Sequence, residues 1–431
     1  MPFAGILRAF REIVSVSVGI MTLFSSNSPP SEMGDPGGSR AGMAGMDRET
    51  AALRWAEECR HALKTPGAYE WWYFEAIDAA GDGIILTLFE GLPFHPNYLS
   101  RISRHAHRAG ASPFDRMGPE LLASHYPAAY IAVYQGGKRV AQSLNIFPPD
   151  SAEGNSEIPD VRIGPNRMTL RQDGTFGIRA RGYTYEVLRA QPRPRRDVVI
   201  NATLTFAPTF PGVAHTRAFR PNGPDGAQHT WVITAPHGRL TGNVQVIDHS
   251  EGVCKVDLHL HTLAYHDHVY GHGGLGLGVT KTLWGFLQGE NWAAVWNQNI
   301  VPGESLDHAD GLVIFEKGSA PVVVEGPSSR LENTRLTNWL MGHPTRVQIH
   351  GSSGQGHPVE LQVANDMLMD TTPFHTRLKA TGTLNIPGYR NYTGRGSTHV
   401  WKLRRLKWPV LSDIVLMAIM PVSEDDPLWR E

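Results

Sequence analysis

The chain has 431 residues, 41% of them hydrophobic, which is ample for a buried core and more than one ordinary domain needs. Its 40 Lys and Arg against 41 Asp and Glu leave a net charge of -1, so no broad positive field gathers phosphate backbones, and nucleic acid is not an expected partner. Cys59 and Cys254 form no paired-thiol spacing of the kind used for zinc or redox work, in keeping with a reducing cytoplasm.

Arg8 and Arg11 precede an apolar stretch from Ile13 to Phe24, about the length of a signal-peptide core and too short to span a bilayer. Glu12 before it, and the lack of a clear small-residue cleavage site after it, weigh against export, so residues 1–48 are expected to be a disordered extension. Ser25 to Met46 is rich in Ser, Pro, Gly and Met. Thr50, Leu53, Trp55, Ala56 and Cys59 recur at helical spacing until Pro66-Gly67.

Strands follow. Tyr69 to Glu75 is loaded with aromatics, turns at Asp78 to Gly83, and returns as Ile84 to Glu90, which is a hairpin. The same grammar runs through Ala128 to Tyr134, Arg139 to Phe147, Arg167 to Gln172, Thr175 to Arg181, Tyr183 to Arg189 and Val198 to Phe206. It resumes at Val256 to Leu263, Trp292 to Asn297, Gly311 to Lys317, Val322 to Glu325, Thr345 to His350, Val359 to Ala364, Leu378 to Leu384 and His399 to Arg405. Two sets of roughly eight strands are enough to close two small barrels, each able to hold one ligand. Two stacked sandwiches would leave a similar pattern. The expected fold is all-β, with barrels over 49–250 and 251–431 and few short helices. The loop from Phe94 to His125 is long enough to be a flap or a helical insert. Near the C-terminus, Lys402, Arg404, Arg405 and Lys407 lead through Trp408 into an apolar run to Val422. A helix docked on the barrels is the preferred reading, and an interfacial membrane anchor is its alternative.

The chemistry centres on Tyr265-His266-Asp267-His268. An acid flanked by aromatics, Tyr265 and Tyr270 among them, is open to desolvation, which raises a carboxyl pKa toward the range useful for proton donation, so Asp267 is the candidate general acid. Its bland alternative is a turn cap beside glycines. Tyr265, His266 and His268 complete the candidate catalytic set. His266 and His268 lie two apart and on a strand share a side, yet no third ligand stands at fixed spacing, so no metal is expected. Gly271-His272-Gly273-Gly274-Leu275-Gly276 satisfies a dinucleotide fingerprint literally but lacks a strand-helix-strand setting, and no cofactor is expected. Trp71, Trp72, Tyr73, Trp231, Tyr270 and Trp284 are candidates to line an apolar cavity and offer ring faces to a carbocation.

Glu70-Trp71-Trp72-Tyr73-Phe74-Glu75, Trp231-Val232-Ile233-Thr234-Ala235-Pro236 and Tyr265-His266-Asp267-His268 followed by Gly271 together resemble the carotenoid 1,2-hydratase (hydroxyneurosporene synthase) superfamily, over roughly Tyr69 to Trp401. The resemblance implies two consecutive lipocalin-like barrels with the site near their junction. It also implies cofactor-free, acid-catalysed addition of water to a terminal double bond of an acyclic carotenoid, with Asp267 as proton donor, Tyr265 beside it and Trp231 facing the cation. Cyclases of the Diels-Alder type share the superfamily. Where many members read Asp-His-Asn-Trp-Gly, this chain has Asp267-His268-Val269-Tyr270-Gly271, lacking an amide and an indole. The expected partner is a hydrophobic polyene or terpenoid. A cyclase and a lipocalin-like carrier without turnover are the rival readings.

Overall fold

Alternating apolar residues along strands punctuated by Gly and Asp turns build two large antiparallel sheets. The computed structural model describes residues 55–65, 67–108, 121–188, 191–210, 212, 228–272, 275, 280–300, 311–388 and 391–429. The apolar stretch from Ile13 to Phe24 and the Ser- and Gly-rich segment after it lie outside these. So do the start of the helix expected from Thr50 and four of the glycines between Gly273 and Gly278.

The first sheet comprises β1 (Tyr69–Ile77), β2 (Gly83–Glu90), β3 (Ala128–Gln135), β4 (Lys138–Ile146), β5 (Ala152–Gly154), β6 (Asp160–Ile163), β7 (Asn166–Leu170), β8 (Phe176–Leu188), β9 (Gln191–Pro208), β10 (Gln228–Asp248) and β11 (Val253–His272). The second comprises β12 (Lys281–Gln288), β13 (Trp292–Ile300), β14 (Gly311–Glu316), β15 (Val322–Val323), β16 (Glu325–Glu332), β19 (Arg346–Ser352), β20 (Pro358–Thr371), β21 (His375–Asn385) and β22 (Tyr392–Trp401). Between its members lies a small ribbon of β17 (Arg335–Leu336) and β18 (Gly342–His343). β23 (Met420–Pro421) returns to pair in parallel with β4. This is the expected all-β, lipocalin-like architecture.

Each sheet curls on itself. In the first, Asn145 of β4 receives a hydrogen bond from the Tyr183 amide of β8 at 2.8 Å and donates to the Tyr183 carbonyl at 3.2 Å, so a side chain replaces ladder bonds at the seam. Gly182 permits this approach: a Cβ there would fall 2.2 Å from Ser143 Oγ. The second sheet runs from β15 at one edge to β16 at the other. Only Val324 separates them in sequence, so the two edges lie beside one another and the barrel nearly closes.

The boundary expected at residue 250 falls inside the first sheet. Asp248 caps a tight turn by accepting the Ser250 and Glu251 amides, and β11 then pairs back along β10. The expected boundary is thus a hairpin turn, and the second sheet begins with β12. The long loop after Phe94 contains α1 (Pro96–Arg108), and the apolar C-terminal run forms α2 (Pro409–Ala418). Val415 of α2 packs with Phe89, Leu92 and Ala128, as a docked helix should. Among the described residues, no helix is long and apolar enough to cross a membrane.

Three apolar clusters follow from strand alternation. Trp72, Phe74 and Ala76 point into the first barrel with Ile131, Phe176 and Phe206. Leu283, Leu287, Trp296 and Ile349 fill the second. Tyr69 and Tyr73 of β1, Trp231 of β10 and Tyr265 of β11 face outward from the first barrel and pack against Phe286, Val295 and Phe315 of the second.

Candidate active site

The faces that meet between the barrels enclose a cavity of about 470 Å³. The first barrel contributes Trp71 and Tyr73 from β1, Phe89 from β2, Arg139 from β4, His229 and Trp231 from β10, and Asp267 and Val269 from β11. The second contributes Trp284 from β12, His375 and Arg377 from β21, and His399 and Trp401 from β22. Ile414, Val415 and Ala418 of α2 lie along one side.

Asp267 sits in the wall, 3% exposed. Its Oδ2 accepts the Trp231 indole N–H at 2.8 Å and the Tyr265 hydroxyl at 2.8 Å, while its buried Oδ1 has no partner among the described residues. Burial pushes this carboxyl up to about 7, against the Tyr265 and Trp231 hydrogen bonds and the nearby His266, which favour the anion; Glu58 adds to the rise. With Oδ2 acting as acceptor to two donors, the proton belongs on Oδ1.

Trp231 reaches Asp267 as a diagonal cross-strand neighbour on the same face. Trp231 opposes Val269, but the register shifts between Val232 and Ala235 and again before Gly238. Pro236, which has no amide hydrogen to give to a ladder, lies in the irregular stretch. Trp284 stands edge-on to Trp231 with centroids 5.5 Å apart, and lies flat on His399 at 4.0 Å and 7°. Tyr265 is fully buried behind the wall, stacked on Phe286 at 4.4 Å.

His266 and His268 point the other way. Period-two alternation turns both into the first barrel, away from the cavity that Asp267 lines. His266 Nδ1 meets the Tyr73 carbonyl at 2.9 Å and Nε2 meets Glu58 at 2.7 Å, with Phe74 stacked on the ring at 3.8 Å. His268 Nε2 meets Glu70 at 2.9 Å and Nδ1 the Glu57 carbonyl at 2.8 Å, with Trp72 stacked on it at 4.7 Å. Burial opposes charge on His268, but Glu70 and Glu58 together raise its pKa; in turn His266 and His268 lower the pKa of Glu58, and His268 and His61 that of Glu70, against their own burial. Tyr270 also faces this side, bonding Glu57 at 3.0 Å and packing on His61. Of the ten residues singled out in the sequence, Trp71, Tyr73, Trp231, Trp284 and Asp267 line the cavity and Tyr265 contacts Asp267. Trp72, His266, His268 and Tyr270 belong to the interior network.

Among the described residues, His61, Glu70 and His268 could reach one metal ion, their ligand atoms lying within 4.8 Å of one another. Each is already engaged: Glu70 joins both imidazoles at 2.8 and 2.9 Å.

Sequence reasoning missed a second polar group in the cavity wall. Arg377 bonds Asp370 at 2.6 Å and the Tyr134 hydroxyl at 2.7 Å, and Tyr134 itself donates to Asp370. Glu75 accepts from Tyr73, Ser397 and, at 3.2 Å, His399. These contacts tie β1 and β3 of one barrel to β20, β21 and β22 of the other. The signal lay in the alternation of Trp71, Tyr73 and Glu75, which share a face.

No family model matches the chain. A curated relative, hydroxyneurosporene dehydrogenase of Chlorobaculum tepidum, is 24% identical over 334 residues, covering 74% of this chain and 79% of that protein. The superfamily resemblance is borne out. Among solved structures, an AttH-type protein of Nitrosomonas europaea matches with a TM-score of 0.50 at 14% identity, covering 78% of this chain and 92% of the other, and bears out the fold. Kievitone hydratase of Nectria haematococca matches with a TM-score of 0.46 at 10% identity, over 80% of this chain and 91% of its own.

Proposed function

We propose that the chain is a hydratase acting on a terminal carbon-carbon double bond of an acyclic carotenoid or related terpenoid. The observation that carries this reading is the buried Asp267 carboxyl, pushed up to about 7, with its unpartnered Oδ1 in the wall of an aromatic cavity. The relative's name supplies the substrate class, an acyclic carotenoid.

Asp267 transfers the Oδ1 proton to the less substituted carbon of the terminal double bond. The π pair becomes the new C–H bond and leaves a tertiary cation on the neighbouring carbon. The faces of Trp231, Trp284 and Tyr73 stabilise that cation, by about 2 kcal/mol per well-placed ring in a desolvated site. Water adds to the cation, and its surplus proton returns to the Asp267 carboxylate, so one water is consumed and the acid is regenerated. Tyr265 and Trp231 hold the carboxylate through Oδ2 while it is charged.

One observation favours a second reading, a cofactor-free cyclase: Arg139 and Arg377 in the wall could activate a substrate carbonyl by hydrogen bonding. The two readings separate when wild type and Asp267→Asn are incubated with neurosporene or lycopene in detergent and products are weighed by mass spectrometry. Hydration predicts a gain of one water that the variant loses. An isomer of unchanged mass made equally by both proteins would replace hydration with cyclisation, loss of two hydrogens with dehydrogenation, and binding without product with carriage.

A further inference from the structure

Hydration of a terminal alkene in an aromatic pocket makes no use of Arg139 and Arg377, yet both line the same cavity. They come from different barrels, Arg139 on β4 and Arg377 on β21. One carboxylate serves them both. Asp370 takes a hydrogen bond from Arg377 at 2.6 Å and lies 3.8 Å from Arg139, beyond hydrogen-bonding distance.

Arg377 Nε is buried with no hydrogen-bond acceptor among the described residues, Glu75 standing 3.8 Å away. Glu75 is itself occupied by Tyr73, Ser397 and His399. The neighbouring imidazoles add no charge: burial, with Arg377 close by, lowers the pKa of both His375 and His399. The guanidiniums are therefore the permanent cations of this wall, and each carries several N–H donors in a planar fork suited to oxygen. Tying the barrels together explains the Arg377 contacts to Tyr134 and Asp370. It does not explain a second arginine in the cavity wall, where Asp370 stands 3.8 Å away and the neighbours are Tyr130, Tyr134 and Tyr185. A bare hydrocarbon filling this space would remove water from those donors and return nothing.

We propose that the natural ligand of this cavity carries an acceptor oxygen, a carbonyl or a carboxylate, away from the reacting double bond, and that Arg139 and Arg377 bind it. This rests on the reading of the cavity as the polyene site and sharpens its substrate class from hydrocarbon carotene to an oxygenated polyene. The oxygen fixes which end of the chain lies near Asp267, so the arginines set orientation while the aromatic wall supplies affinity.

The test is binding, measured apart from turnover. Trp71, Trp231, Trp284, Trp339 and Trp401 all line the cavity, so quenching of tryptophan fluorescence reports occupancy. Three probes of one chain length are titrated in matched detergent: an acyclic isoprenoid hydrocarbon, its aldehyde and its carboxylic acid. Wild type should bind the better oxygenated probe about tenfold or more tighter than the hydrocarbon, the gain expected of a charge-assisted hydrogen bond. Whichever of the two binds tighter names the oxygen group. Arg139→Met should abolish the preference without weakening hydrocarbon binding, and Arg377→Lys should reduce it. Arg377→Met strands Asp370 and would be confounded by misfolding, so Arg139→Met, whose side chain is 19% exposed, carries the test.

Equal affinity for the three probes, or a preference that survives Arg139→Met, overturns the inference. If the probes bind equally while the hydrocarbon gains water, this inference fails and the hydratase reading stands. If none binds, both fail.

Discussion

Asp267 and His268 are consecutive in the chain and face different compartments, one lining the cavity between the barrels, the other buried inside the first. Substitutions on the two faces should therefore fail differently. Asp267→Asn keeps an acceptor for Trp231 and Tyr265, so the protein should fold normally and lose hydration by roughly 10²- to 10⁴-fold, the usual span of a general acid. His266→Gln leaves the fully buried Glu58 without its imidazole partner, which should cost about 3–5 kcal/mol. Urea unfolding beside product analysis checks both. An inactive but fully stable His266→Gln would show that the interior network takes part in the chemistry.

The pH dependence has a definite sign. Catalysis needs the neutral acid, so the rate should fall as pH rises through about 7, the value to which burial pushes Asp267. Stability follows the same direction. From its ordinary 3.8 to about 7, the folded chain holds a proton that the unfolded chain releases, so the group's stabilising contribution is full below the lower value and gone above the higher. The difference is on the order of 4 kcal/mol. Asp267→Asn escapes this penalty, and should be more stable than wild type above neutrality by an amount that shrinks toward mildly acidic pH. Unfolding midpoints of the two proteins across that range test it, and parallel curves would mean that Asp267 titrates as an ordinary carboxyl.

Trp231 and Tyr265 both donate to Oδ2 and both favour the carboxylate, lowering a pKa that burial raises. Trp231→Phe and Tyr265→Phe keep a ring and remove a donor. Each should shift the alkaline limb of the rate upward by up to about one pH unit while lowering the maximal rate, because the conjugate base loses a partner. A limb that moves downward would assign these groups the opposite role.

Much of this was legible from residue order. Alternation in Tyr69 to Glu75 and Val256 to Leu263 gave the strands, because half-buried antiparallel strands write their two faces into the sequence. Asp267 stood out because an acid among aromatics has few bland uses. β10 was not recognised as a strand, since Pro236 and Gly238 interrupt its pattern where the register shifts and Gly242 interrupts it again further on. Thr175–Arg181 and Tyr183–Arg189 read as two strands, yet Gly182 between them is a point of close approach to Ser143 within the single strand β8. His266 and His268 were grouped with Asp267 by proximity, although alternation already placed them on the opposite face. Of the Arg377, Asp370 and Glu75 group only the placing of Glu75 on the face of Trp71 and Tyr73 was legible, because its partners come from strands about 300 residues further along, joined by tertiary pairing.

That group yields a prediction about the junction itself. Tyr134 reaches Asp370 and Arg377 from one barrel, while Glu75 of the same barrel takes a hydrogen bond from Ser397 of the other. Arg377 lies between the two contacts, 2.6 Å from Asp370 and 3.8 Å from Glu75. Tyr134→Phe and Ser397→Ala each remove a buried hydroxyl, and each should cost about 1–3 kcal/mol. If the chain of charges works as one unit, the first loss lets Arg377 shift and weakens what the second removes. The double variant should then depart from additivity by at least about 0.5 kcal/mol in a urea double-mutant cycle. Strict additivity would describe two independent clamps, each holding the barrels together beside the apolar contacts of Phe286, Val295 and Phe315.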